Sequence, residues 1–185
     1  QSKTSSIDFS SFDTSNVSNM YSLLSWTGYK STNWYAGDLS NWNTSKVTNM
    51  SAMFNNAGRE ITNWSIGDLS NWNTSNVTDM SSMFYSSGYK TSNWYIGDLS
   101  NWDTSKVTNM AYMFANAGQN ATNFSLNSKF DMSSATTTSY MFYNTGNKAT
   151  NQFLLDFSTS NFDKITTYTS MFRALSNNQI LIKVK

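Results

Sequence analysis

The sequence predicts an α/β repeat solenoid, with one short strand and one short helix in each coil of about 30 residues. Three observations predict it. The string LSNWNTSKVTNMSAMF at 39–54 returns as LSNWNTSNVTDMSSMF at 69–84 and LSNWDTSKVTNMAYMF at 99–114, a period of 30 residues. The pairs Met53-Phe54, Met83-Phe84, Met113-Phe114, Met141-Phe142 and Met171-Phe172 then follow one another at steps of 30, 30, 28 and 30, as stacked coils with small loop changes require. Within each repeat the apolar spacing changes from a helical period to an alternating one. A looser copy, SSFDTSNVSNMYSLL at 10–24, precedes these, and two degraded ones, KFDMSSATTTSYMF at 129–142 and NFDKITTYTSMF at 161–172, follow. About six repeats fill residues 1–185 as one solenoid domain, with no linker between them.

The second repeat shows the elements in order. Thr44 or Ser45 is placed as an N-cap, because a side-chain oxygen there can accept a free amide of the first turn. Val47, Met50, Phe54 and Ala57, at i, i+3, i+7 and i+10, form the stripe of an amphipathic helix. Gly58 follows as its stop, and Gly28, Gly88, Gly118 and Gly146 recur in the same role. Beyond it, Trp64-x-Ile66 alternates like a strand. The three-residue steps from Ile61 through Trp64, Ile66 and Leu69 to Trp72 resemble the frame of leucine-rich repeats, so the coil is read as leucine-rich-repeat-like. A parallel β-helix with every segment extended is the alternative, since Thr, Val and Trp also suit strands. At the ends, Ile7-Asp8-Phe9 begins in mid-repeat, and 176–185 reads as a C-terminal capping strand with Ile180, Ile182 and Val184 on one face.

Composition limits the chemistry. There is no His, Cys or Pro among 185 residues, whereas Ser, Thr and Asn number 32, 22 and 25. The usual proton shuttle, thiolate nucleophile and soft metal ligands are therefore missing, and the sequence argues against an enzyme, a cofactor or a metal centre. A net charge of +1 offers no footprint for nucleic acid or an anionic membrane. No apolar run approaches the ~18 residues of a membrane span. Aromatics at 16% nonetheless supply enough apolar surface for a core.

Comparing repeats within the chain separates scaffold from surface. Columns that keep one residue type, Val47/Val77/Val107, Met50/Met80/Met110 and Phe54/Phe84/Phe114, serve the core. The Trp42/Trp72/Trp102 and Trp34/Trp64/Trp94 columns are either buried or an exposed ladder suited to sugar rings. Asn41/Asn71/Asn101 and Thr44/Thr74/Thr104 are read as turn caps that bond to the next coil. Asp38, Asp68 and Asp98, continued by Ser128, stack like charges; calcium is one way to offset this, but one carboxylate per coil is sparse for 6–8 oxygen ligands. The columns that vary are the places for binding. One reads Tyr29, Arg59, Tyr89, Gln119, the next Lys30, Glu60, Lys90, Asn120, and a third Tyr35, Ser65, Tyr95, Ser125. Tyr29, Tyr35, Arg59, Tyr89 and Tyr95 are the candidate binding residues, because tyrosine beside cationic groups is the composition of protein-binding surfaces.

The block D-L-S-N-W-[ND]-T-S-[KN]-V-T-[ND]-M-x-x-M-F at 38–54, 68–84 and 98–114 resembles the repeat of the BspA-like leucine-rich-repeat surface proteins of Gram-positive bacteria and mycoplasmas. The chain departs from that group in its longer repeat and in having Ala57, Ser87 and Ala117 where a Cys often follows Met-Phe. The resemblance implies an adhesin-like binding module, extracellular and attached to the cell wall through regions outside this sequence. It implies a longer multidomain surface protein and, as partner, a host or extracellular-matrix protein or glycan. A structural stalk and a carbohydrate-binding module are the alternatives.

Overall fold

The computed structural model describes residues 8–31, 34–175 and 180–184. They form a parallel β-solenoid. A bridge at one fixed position ties each coil to the next, from Asn19 through Asn49, Asp79, Asn109 and Thr137 to Thr167, always parallel. The steps keep the sequence period, including the 28-residue step from Asn109 to Thr137. Two-residue strands flank this ladder: β1 (Trp34–Tyr35) pairs with β2 (Trp64–Ser65), and β3 (Asn93–Trp94) pairs with β5 (Asn123–Phe124). A larger sheet runs β4 (Asp98–Leu99), β6 (Asn127–Lys129), β7 (Phe153–Asp156), β8 (Ile180–Lys183), again all parallel.

The solenoid stands, but the helix of each coil does not form. Among the described residues there is no α-helix, and the single 3-10 turn, Leu39–Asn41, lies outside the stripe that suggested one. Residues 50–58 are instead a series of overlapping turns. Met53, Asn55 and Ala57 donate to carbonyls three residues back, at Met50, Ala52 and Phe54. The alternate amides of Met50, Ala52, Phe54 and Asn56 leave the coil and donate to Asp79, Ser81, Met83 and Tyr85 of the next one. An α-helix would use every amide internally; here half of them build the stack. The left-handed residues Ala52 (φ 54°) and Asn56 (φ 55°) recur every four residues and return the chain to the same face, so the apolar spacing imitates a helix. The parallel stacking of the β-helix alternative is realised, but not its extended segments, because 50–58 is built of turns.

Gly58 keeps its special role for a different reason from a helix stop. Its φ is +55°, and a Cβ there would lie 2.5 Å from Trp64 Cδ1 and 2.8 Å from Ile61 Cδ1. The next turn begins on it, Ile61 donating to its carbonyl, while the Trp64 ring closes over the missing side chain.

The core is a set of aromatic columns. Phe54, Phe84, Phe114, Phe142 and Phe172 stack at 5.3 to 5.7 Å between ring centres, nearly parallel. Trp42, Trp72 and Trp102 stack at 6.1 and 6.3 Å, and each indole N–H donates to the preceding coil, to Phe9, Leu39 and Leu69 carbonyls in turn. Identical rings at matching positions thus bury their faces against each other, and the three indoles direct their one donor to backbone. Thr14, Thr44, Thr74 and Thr104 work in the opposite direction, each hydroxyl donating to a carbonyl of the following coil. On the outside, Thr48, Thr78, Thr108, Thr136 and Thr166 donate both N–H and O–H to one carbonyl of the coil before.

Two details depart from strict translation. Ser128, which the 30-residue period aligns with Asp98, pairs with Leu99, and Asp98 pairs with Asn127. The shorter fourth step brings a serine into an apolar column, where it is buried. At the C-terminal end, β8 pairs with β7 from Phe153↔Ile180 to Asp156↔Lys183, and Lys183 Nζ reaches Asp156 Oδ2 at 3.2 Å. Leu181, Ile182 and Val184 are exposed, and Ile180 packs partly on the core. Of the expected capping strand, 176–179 and 185 lie outside the described residues, as does Ile7.

Candidate functional site

Backbone hydrogen bonds set the column of position 29 directly coil on coil: Glu60 donates to Tyr29, Lys90 to Arg59, and Asn120 to Tyr89. Neighbouring side chains therefore sit one coil step apart, about 4.8 Å. The Arg59 guanidinium lies over the Tyr89 ring at 5.1 Å from its centre, a cation–π contact that also orients the arginine. Glu60 in the adjoining column bonds to Lys90 and lies 3.9 Å from Arg59 Nε. The Lys90 hydrogen bond holds the Glu60 carboxyl below its ordinary range, against desolvation, helped by the charges of Lys90, Arg59 and Lys30. Trp26 packs against Tyr29 with ring centres 4.9 Å apart. Two side-chain pairs, Trp26–Tyr29 and Arg59–Tyr89, thus lie along one column, beside Lys30, Glu60 and Lys90.

Tyr35 and Tyr95 occupy a different column. Tyr35 pairs with Ser65 in the β1–β2 ladder, and Ser65 separates it from Tyr95, so the two phenols are about 10 Å apart along the axis. Both are exposed, at 45% and 52%. Tyr95 donates its hydroxyl to Asp68 Oδ2 at 2.9 Å, and this bond, with desolvation and the charges of Asp68 and Asp98, holds the phenol above its ordinary value. No hydrogen bond, ion pair or ring contact joins this column to the first among the described residues. Of the five candidates, the fold brings Arg59 and Tyr89 into direct contact, sets Tyr29 beside them, and holds Tyr35 and Tyr95 apart.

Other repeated side chains are occupied by the scaffold. Asp38, Asp68 and Asp98 each accept the amide two residues on, from Ser40, Ser70 and Ser100. Asp98 also accepts from Asn127 Nδ2 at 2.7 Å. Burial raises the Asp68 and Asp98 pKa values, but their hydrogen bonds outweigh it and hold both below the ordinary range, although Asp68 repels Asp98. These carboxylates are turn caps. Among the described residues no group of three or more His, Cys, Asp or Glu is arranged to hold a metal ion. The Trp columns lie in the core, at 1% to 6% exposure, so they offer no ladder for sugars.

Two surface clusters escaped the sequence reading. Trp26, 54% exposed, stands in the column of Asn56, Ser86 and Asn116, and its size alone marks a break there. Tyr85, Tyr112, Tyr140 and Tyr143 form a second run, with Tyr112 and Tyr140 stacked at 4.9 Å and edge-on neighbours at 6.2 and 5.8 Å. Tyr112 and Tyr140 have φ near +58°, a conformation that costs a bulky residue about 1–2 kcal/mol. The column Ser22, Ala52, Ser82, Tyr112, Tyr140, Ser170 carries the signal, a change from small residues to tyrosine in two successive coils.

A family model described as a Mycoplasma protein of unknown function, DUF285, matches residues 1–96 and 59–183. No curated protein and no solved structure matches the chain.

Proposed function

The chain belongs to the DUF285 family, and from that premise we propose that it is a non-enzymatic binding module of a bacterial cell surface, akin to BspA-like proteins and recognising a host or matrix protein or glycan. The observation that carries this reading is the Tyr29–Arg59–Tyr89 column. The core does not dictate those residues, yet they form an ordered aromatic and cationic row on a rigid stack. Rigid presentation lowers the entropy lost on binding, and Tyr, Trp and Arg are the residues that dominate interface energetics. The module works outside the cell, held at the wall by regions beyond this sequence.

The test is binding of the purified chain to immobilised matrix proteins, mucin, host cells and a glycan array. A combined Tyr29→Ala, Arg59→Ala and Tyr89→Ala variant, with unchanged circular dichroism and melting, is expected to lose at least tenfold in affinity, since each true anchor contributes about 1–2 kcal/mol or more. Full binding by that variant, or none by the parent chain to any of these surfaces, rejects the reading.

A stalk that holds another domain away from the wall is the second reading, favoured by the burial of both Trp columns. An extended particle in small-angle scattering that binds nothing in the same screen selects it.

A further inference from the structure

Charge and tyrosine are sorted between the two halves of the coil. The half that opens with the turn segment, residues 20–37, 50–67, 80–97, 110–126, 138–155 and 168–182, holds all ten tyrosines and five cations, Lys30, Arg59, Lys90, Lys148 and Arg173, against one carboxylate, Glu60. The other half, within residues 8–183, holds the remaining ten acidic residues against five lysines. Coils stack in register, so the two halves are two sides of the solenoid. A net charge of +1 thus conceals a cationic, tyrosine-bearing side and an acidic one. The Asp38, Asp68 and Asp98 column has a scaffold reason for its place, as turn caps. No cap or core column uses the cations of the tyrosine side.

Those cations are ordered. Backbone bonds set Lys30, Glu60, Lys90, Asn120 and Lys148 in one column, the Lys148 amide donating to Gln119 as the Lys90 amide does to Arg59. Its lysines stand in alternate coils, so successive ones are two coil steps, about 10 Å, apart. All three are exposed. Glu60 pairs with Lys90, whereas Lys30 and Lys148 have no ion pair among the described residues. The adjoining column sets Tyr29, Arg59, Tyr89 and Gln119 beside them, a row of phenol, guanidinium and amide groups.

We propose that this side binds a linear acidic polysaccharide of the extracellular matrix, one carboxylate or sulfate per disaccharide, lying along the solenoid axis. The proposal rests on the binding-module reading and names the ligand class of that same site. Two coil steps are about the length of one disaccharide, so a polymer charged at every second ring meets Lys30, Lys90 and Lys148 in register. The neutral ring between two charges passes Glu60 or Asn120, and the phenols and amides of the adjoining column hydrogen-bond to its hydroxyls. A nucleic acid fits less well, since it places a phosphate about every 3.4 Å along each strand, roughly three for each lysine of the column. An acidic protein offers no repeat for the column to match.

The test is binding of the full chain to hyaluronan and chondroitin sulfate oligosaccharides at low and physiological salt, with carboxyl-reduced hyaluronan as the uncharged analogue. Both acidic glycans are expected to bind, more weakly as salt rises, and the reduced polymer is not. A Lys90→Gln and Lys148→Gln double variant is expected to lose affinity about tenfold, and its salt dependence to become shallower. The Lys46→Gln and Lys106→Gln pair removes the same charge from the other side, at exposed positions, and is expected to bind within about twofold of the parent. Melting checks that both variants fold. Equal losses in the two variants, equal binding of the reduced polymer, or tighter binding to single-stranded DNA or an acidic protein overturns the proposal. Failure of every acidic glycan while a matrix protein still binds through Tyr29, Arg59 and Tyr89 overturns it and leaves the binding-module reading standing; failure of every surface and glycan rejects both.

Discussion

Trp64 and Trp94 occupy one column and stack at 5.5 Å, yet they differ in one hydrogen bond. Trp94 Nε1 lies 3.3 Å from Ser87 Oγ, whereas the buried Trp64 Nε1 has no partner, because Ala57 stands in the coil where Ser87 stands in the next. An indole N–H withdrawn from water and left unbonded costs about 1–3 kcal/mol, more than a serine hydroxyl costs to bury once it is paired. Ala57→Ser is therefore expected to stabilise the protein by about 1 kcal/mol, a rise of roughly 2–4 °C in melting temperature for a chain of this size. Ser87→Ala is expected to lower it by a similar amount. Thermal melts of the two variants check the pair of signs; a fall with Ala57→Ser means that the two coils are not equivalent at this position.

At the scale of the element, what the sequence concealed was the destination of the amides. The Val47, Met50, Phe54 and Ala57 stripe is buried as expected, so the inward face was legible, but a helix and a turn series of four-residue repeat place the same residues inward. The hydrogen-bond partners and the backbone torsions differ, and the partners lie 29 residues away, beyond any local pattern. Ala52→Gly separates the two structures by sign. In a helix the change costs about 1 kcal/mol. At φ 54° it relieves a left-handed alanine, about 1–2 kcal/mol, against the smaller entropy cost of glycine in the unfolded chain. Urea denaturation is expected to show no loss and up to about 1 kcal/mol gained, and a loss of 1 kcal/mol would restore the helix. The candidate residues follow the same division. Variation between coils marked Tyr35 and Tyr95, which are exposed, and Tyr29, Arg59 and Tyr89, which are only half-buried; the order Tyr35, Ser65, Tyr95 was legible from the period, whereas the cation–π contact of Arg59 with Tyr89 was not.

For the whole molecule the repeat was the most legible feature, since translation by 30 residues carries one coil's core onto the next without reference to how the coil is bent. Its consequence is a stability that adds nearly linearly, each coil contributing its own folding term and one interface. Deleting 68–97 tests this, because it joins Gly67 to Asp98, and Asp98-Leu99-Ser100-Asn101-Trp102 repeats Asp68-Leu69-Ser70-Asn71-Trp72. The shortened chain keeps both terminal coils, every Asx cap of the retained coils and an unbroken Phe54-to-Phe114 junction. It is expected to fold, with a urea m-value reduced by about one sixth in proportion to the surface no longer buried, and with a lower unfolding free energy. Deleting 68–82 instead removes half a coil, throws Val, Met and Phe out of register with the coil before, and is expected to abolish cooperative unfolding. If both deletions fold equally well, the coils are not the units of stability; if both fail, cooperativity runs through the whole stack rather than from neighbour to neighbour.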